Sequence, residues 1–89
     1  MTILEILEQT SACQVLVFIL NNGPAPVSEI IRKGGLSQTS LYNALRKLKD
    51  AGLIEEKFEE DFPRRRLISL TEKGMKVAEK LEEIERLLA

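Results

Sequence analysis

The chain contains no histidine and only one cysteine, Cys13. A single thiol cannot close an intramolecular disulfide, and without imidazoles the ordinary zinc sets cannot be assembled, so metal and disulfide scaffolds are not expected. Long apolar runs are also missing. The longest, Val15 to Leu20 with polar flanks, is far short of the roughly 20 residues needed to cross a bilayer, which leaves no expected membrane span. Residues 1–9 carry Glu5 and Glu8 where a secretory signal has a basic start and an apolar stretch, so the expected compartment is the cytoplasm. Neither sign of charge dominates: the formal net charge is −1, unlike the strongly basic footprint of an abundant DNA-packing protein. There is no glycine-rich phosphate loop and no histidine base, and the carboxylates fall on positions expected to be exposed. No catalytic site and no cofactor follow from such a sequence.

What is present is a globular composition, 44% hydrophobic and 30% charged over 89 residues, enough for one compact domain and hardly for two. A domain of this size buries only about 60% of its unfolded surface, so further burial in a dimer interface would add stability. Dimerisation is therefore expected on size alone.

Periodicity divides the chain into five elements. Ser11 is placed to cap a helix running to about Asn22, with Ala12, Val15, Leu16 and Ile19 on one face. Cys13, Val17 and Leu20 lie on its other faces, so this helix needs cover from more than one side, and Ile3, Leu4, Ile6 and Leu7 are candidates to provide it. Asn22, Gly23 and Pro24 stop it. Ser28 is expected to open a second, short helix through about Lys33 with Ile30 and Ile31 inward, and Gly34 and Gly35 to end it. Ser37 is a strong N-cap for a third helix, in which Leu41, Ala44, Leu45 and Leu48 follow i, i+3, i+4, i+7 spacing up to the stop at Gly52. Two helices joined by a short glycine turn make the pattern of a helix-turn-helix, which many structural helical hairpins share.

Leu53 to Glu60 and Arg65 to Leu70 read as the strands of a hairpin, with Ile54 and Phe58 sharing one face, Ile68 and Leu70 another, both toward the helices. Thr71 caps a last helix, and Glu72 suits its positive end. The expected class is thus α+β, a winged helix-turn-helix of three helices, a β-hairpin wing and a C-terminal dimerisation helix. As a single domain over residues 1–89 it divides into an N-terminal dimer segment at 1–10, a winged helix core at 11–70 and the terminal helix at 71–89.

Three segments carry a family resemblance: Gly35 to Tyr42 opening the third helix, Leu45 to Ile54 leading into the wing, and Arg64 to Gly74 leaving it. Together they resemble the winged-helix repressors of the MarR, PadR and ArsR type, particularly the compact archaeal ones. The similarity covers roughly residues 11–74 as organisation. It implies double-stranded DNA as partner, transcription regulation as role, and a wing tip that reaches the flanking minor groove or backbone.

Opposite the apolar stripe of the third helix lie Gln38, Thr39, Tyr42, Asn43 and Arg46. A major groove admits one helix, and amide or guanidinium groups can grip adenine or guanine edges in two-pronged contacts, so Gln38, Asn43 and Arg46 are candidate readers. Thr39, Ser40 and Tyr42 suit phosphate, and the backbone N–H groups of Ser37 to Ser40 offer an anion site. The alternative is an ordinary solvated face. Arg64, Arg65 and Arg66 form the strongest basic cluster, and strand alternation sends Arg64 and Arg66 one way and Arg65 the other. Arg64 and Arg65 are the expected DNA pair, and Arg66 is the expected ion-pair partner of an acid across the hairpin.

Charge is segregated. Residues 53–63 hold five acids against Lys57, whereas residues 28–50 hold five basic residues against Glu29 and Asp50; such an acidic strand either repels phosphate or anchors the arginines. In the last helix Val77, Leu81, Ile84 and Leu88 form a short heptad-like seam, widened by Met75, Ala78 and Leu87. With Ile3 to Leu7 this seam is expected to make a two-fold interface, the alternative being packing over the first helix. Cys13, beside Ala12 and Val15 and with no basic neighbour, reads as a small buried core thiol and not as a redox sensor. The expected function is sequence-specific binding of double-stranded DNA as a homodimeric regulator, of the repressing kind by family resemblance. A winged helix serving as a protein-interaction module in a transcription or replication assembly is the alternative.

Overall fold

The most apolar helix lies at the centre of the molecule. In the computed structural model, which describes residues 11–89, α1 (Ala12–Asn22) buries Ala12, Val15, Leu16 and Ile19. It packs against each of the other helices and the second strand. Ser11 stands at its start, but no side-chain capping bond forms: the residue is already in helical geometry and is buried. Gly23, at φ 79°, ends the helix and donates its N–H to the Ile19 carbonyl.

The second helix, α2 (Val27–Gly34), begins one residue earlier than Ser28 would have it. Pro26 occupies the cap position with extended backbone, and its carbonyl accepts from Glu29 and Ile30. Proline lacks the N–H that a first-turn residue would leave unpaired, so the ring supports this start without a hydroxyl cap. Ile30 is fully buried and Ile31 half-buried. Gly34 is still helical; the left-handed residue that ends the helix is Gly35.

The third helix, α3 (Gln38–Asp50), is capped by the Ser37 hydroxyl, which accepts the Ser40 N–H at 3.2 Å. Its four stripe residues, Leu41, Ala44, Leu45 and Leu48, are all buried. From Gly52 the chain enters β1 (Ile54–Phe58), which pairs antiparallel with β2 (Arg66–Leu70) in the register Ile54 to Leu70 and Phe58 to Arg66. The strands are shorter than the expected runs, although Glu59 still donates to the Arg65 carbonyl beyond the regular ladder.

One face of the hairpin carries Ile54, Glu56 and Phe58 with Arg66, Ile68 and Leu70. Ile54 and Ile68 are buried, but Phe58 is 61% exposed and does not meet the helices. Alternation sets which residues share a face, but not how much of that face the helices cover, and at Phe58 the cover has stopped. At the inner end, Ile68 also exchanges two backbone hydrogen bonds with Ala25, which lies between Pro24 and Pro26. This isolated bridge ties the turn before α2 to the base of the wing.

The last helix, α4 (Glu72–Leu88), is capped by Thr71 and lies along α1. Gly74 and Ala78 are buried there, with Val77 and Leu81 partly buried against the core. Beyond them Ile84, Leu87 and Leu88 are exposed. The expected seam thus divides into an inner part spent within the chain and an outer part left open. Ile3, Leu4, Ile6 and Leu7, with the dimer segment assigned to 1–10, lie outside the described residues.

Candidate nucleic-acid interface

The buried stripe of α3 orients its opposite side outward. Gln38, Thr39, Ser40, Tyr42, Asn43 and Arg46 are all exposed, as is Ser37. Helical spacing places Thr39, Tyr42, Asn43 and Arg46 in neighbouring rows. Arg46 makes no ion pair among the described residues, so its guanidinium remains available for hydrogen bonding. The helix start offers less to an anion than expected, because the Ser37 hydroxyl already occupies the Ser40 N–H. Ser37 therefore serves the fold first.

The wing stands beside this helix. Between them is a cleft of about 350 Å³, into which Tyr42, Arg46 and Lys49 project from α3 and Glu56 and Arg66 from the hairpin. Glu56 links the two walls: Lys49 Nζ lies 3.6 Å from its Oε1, and Arg66 Nη1 lies 3.9 Å from its Oε2. Glu56 and Arg66 are diagonal neighbours on one face, as the register requires.

On the opposite face Arg65 donates from Nε to Glu59 Oε1 at 2.6 Å. The expected assignment gave Arg66 the intrachain pair and left Arg65 to DNA. Both arginines are paired, and Arg65 has the shorter contact. The reason is register: with Phe58 opposite Arg66, Glu59 falls opposite Arg65 one step further along. Arg64, at the turn, has φ 56°, donates its N–H to the Asp61 carbonyl, and forms no ion pair among the described residues. Phe62, in the same turn, is 94% exposed.

On α2, Glu29 pairs with Lys33 at 3.0 Å and with Arg32 at 4.0 Å. The hydrogen bond and charge of Lys33 hold its carboxyl below the usual glutamate range, with smaller help from Arg32 and Arg65. The basic residues counted over 28–50 are consequently not all available to a ligand.

A second concavity, which the sequence did not signal, lies where α1, α2 and the outer half of α4 meet. This open groove of about 840 Å³ is lined mainly by apolar side chains, among them Val17, Phe18, Leu36, Leu81, Ile84 and Leu88. Cys13 is on its wall, and burial pushes the thiol pKa up. Among the described residues, no group of three or more His, Cys, Asp or Glu side chains is placed to hold a metal ion, and no helix is long and apolar enough to cross a membrane.

The sequence profile of the MarR family matches residues 9–66. No curated protein matches the chain. Among solved structures it is similar to a possible HxlR family transcriptional factor from Thermoplasma volcanium, at 25% identity and a TM-score of 0.80, covering 99% of this chain and 79% of that one. It is also similar to a MarR family regulator from Neisseria meningitidis, at 30% identity and a TM-score of 0.73, over 86% of this chain and 54% of that one. A transcriptional regulator homologue from Pyrococcus horikoshii shares the fold, with 23% identity, a TM-score of 0.76, and coverage of 94% and 84%.

Proposed function

The chain belongs to the MarR family, and from that premise we propose that it binds double-stranded DNA sequence-specifically as a homodimer that represses transcription. The observation that carries this reading is the polar side of α3: Gln38, Thr39, Tyr42, Asn43 and Arg46 are exposed while the opposite stripe is closed into the core. In the reading, α3 enters a major groove, where Gln38, Asn43 and Arg46 meet base edges. Ser37, Thr39, Ser40 and Tyr42 meet phosphate, and the wing adds Arg64 and Arg65 at the flank. Residues 11–70 are the DNA-binding unit, and residues 71–89 join two copies. The working compartment is the cytoplasm, and no catalytic role is assigned.

Exposed Ile84, Leu87 and Leu88 beside an apolar groove support a homodimer built on α4. Two-fold pairing would present recognition helices to successive major grooves, roughly 34 Å apart. A specific observation also favours the alternative of a protein-interaction module: the first strand and turn of the hairpin are acidic and carry exposed Phe58 and Phe62. Titration of mixed-sequence and selected duplexes at several salt concentrations separates the two. Phosphate contact gives a steep fall in affinity as salt rises, whereas absence of duplex binding at low salt would leave the protein-interaction role.

A further inference from the structure

We propose that Glu56 and Glu59 limit the strength of DNA binding by competing with phosphate for Lys49, Arg65 and Arg66, an inference that rests on the DNA-binding reading above. All three cations stand on the recognition helix or wing, and all three already hold a carboxylate. Glu56 faces Lys49 at 3.6 Å and Arg66 at 3.9 Å, and Glu59 accepts from Arg65 at 2.6 Å.

The arrangement is layered. The side chains of Glu56 and Glu59 are 30% and 24% exposed, against 59%, 59% and 44% for Lys49, Arg65 and Arg66. An approaching polyanion thus meets the cations first, but each has an anion behind it. Phosphate must either displace that carboxylate or share the cation with it. Both routes lower the gain from neutralising phosphate and releasing its counterions. Ion pairs this exposed contribute little to folding, so stability alone gives weak reason for them. Because phosphate contacts carry no sequence information, the effect applies to every DNA sequence alike. It gives the acidic wing strand a role: the arginines are present, but their pull on DNA is held down. Arg46 and Arg64, which have no such partner among the described residues, are outside this control.

The test is to titrate a mixed-sequence duplex with the full chain and with Glu56→Gln and Glu59→Gln, following the salt dependence of the affinity. Each additional phosphate contact steepens the slope of log affinity against log salt by about 0.9. Glu59→Gln, which frees Arg65 from a competing carboxylate, should add up to about 0.9, and Glu56→Gln, which frees two cations, up to about 1.8. Between about 50 and 200 mM salt these changes enlarge the affinity ratio by up to roughly 3.5-fold and up to roughly 12-fold, with tighter binding at the lower salt. Glu60→Gln is the control: it makes the same charge change, but Glu60 is in no ion pair among the described residues. Thermal melts run alongside confirm that each variant is folded.

Steeper slopes for Glu56→Gln and Glu59→Gln, with a smaller change for Glu60→Gln, support the proposal. Unchanged slopes overturn it, as does weaker binding, which would mean that the glutamates hold the cations in place for DNA. An equal effect of Glu60→Gln also overturns it, since net charge would then suffice. If wild type binds with a negative salt slope and the variants match it, only this proposal falls. If neither wild type nor any variant binds duplex at low salt, the DNA-binding reading falls too.

Discussion

The carbonyl oxygen of Leu53 stands where a side chain on residue 74 would begin: a Cβ added to Gly74 would overlap it. The same carbonyl accepts the Thr71 N–H at 3.1 Å, so one backbone group at the entry to the wing holds the start of α4 against it. Replacing Gly74 by alanine would favour the helix by about 1 kcal/mol on propensity alone. Steric overlap with backbone is larger and cannot be relieved by a side-chain rotation. Gly74→Ala should therefore destabilise the fold by about 3 kcal/mol or more, read from urea denaturation. A loss below about 1 kcal/mol would show that the helix start can slide away from Leu53.

Thr71 completes this junction from the other side. Its hydroxyl accepts the Gly74 N–H at 3.0 Å and donates to the Gly52 carbonyl at 2.7 Å, joining the end of the α3 turn to the first turn of α4. Thr71→Val keeps the shape and removes both bonds, at an expected cost of about 1 to 2 kcal/mol. Thr71→Ser retains the hydroxyl and should lose less than half as much in the same denaturation experiment. Equal losses for the two would mean that the methyl group contributes as much as the two hydrogen bonds of the hydroxyl.

Much of this was legible because it is local. The spacing of Leu41, Ala44, Leu45 and Leu48 marked the inward side of α3, and the residues just before α3 and α4 marked their caps, since both signals lie within a few positions of the chain. Ser11 and Ser28 looked equally like caps, yet Ser11 is buried in helical geometry and Pro26 starts α2. The Ala25 bridge to Ile68 has no periodicity to announce it, because two residues 43 positions apart meet only once the wing folds back. Exposure of Phe58 depends on how far the body extends beneath the hairpin, which alternation does not encode. At the candidate site, residue types marked the side of α3 that is exposed, whereas the pairing of Arg65 with Glu59 required the strand register.

Arg46 and Arg64 should respond differently on DNA if the first reads bases and the second meets phosphate. Against a duplex selected from a random pool, Arg46→Ala should cost about 1 to 3 kcal/mol and relax preference at one base pair. Arg64→Ala should weaken all sequences alike and make the salt slope shallower by about 0.9. Quantitative binding to the selected duplex and to its single-base variants decides the matter. A uniform loss with Arg46→Ala would remove its reading role.

Cys13 gives a pH dependence of known sign. Burial raises its pKa in the folded state, so folding favours the protonated thiol. That contribution is fully present below the pKa of the unfolded thiol and is lost as pH rises through the higher folded value. Stability should therefore decline on the alkaline side, and Cys13→Ser should flatten that decline. Alkylation of the native protein by iodoacetamide near neutral pH should be slower than that of the same chain in denaturant, because the thiolate is the reacting form. Equal rates would indicate that the thiol is as ionised in the fold as out of it.

The outer half of α4 provides the sharpest test of the homodimer. Ile84 is 51% exposed, Leu87 84% and Leu88 82%, so charged replacements there need not disturb the packing of Ala78 or Leu81 within the chain. If these side chains are covered by a second copy, Ile84→Glu with Leu88→Glu places two carboxylates per chain in an apolar contact. Burial of an unpaired charge is costly enough to abolish association. Sedimentation velocity at micromolar concentration should show a dimer for wild type and a monomer for the double variant, with similar melting when both are compared as monomers. Binding to a two-half-site duplex should then fall further than binding to one half-site, because the second contact loses its tether. A monomeric wild type under those conditions would sink the dimer, whereas a variant that stays dimeric would move the interface away from this end of α4.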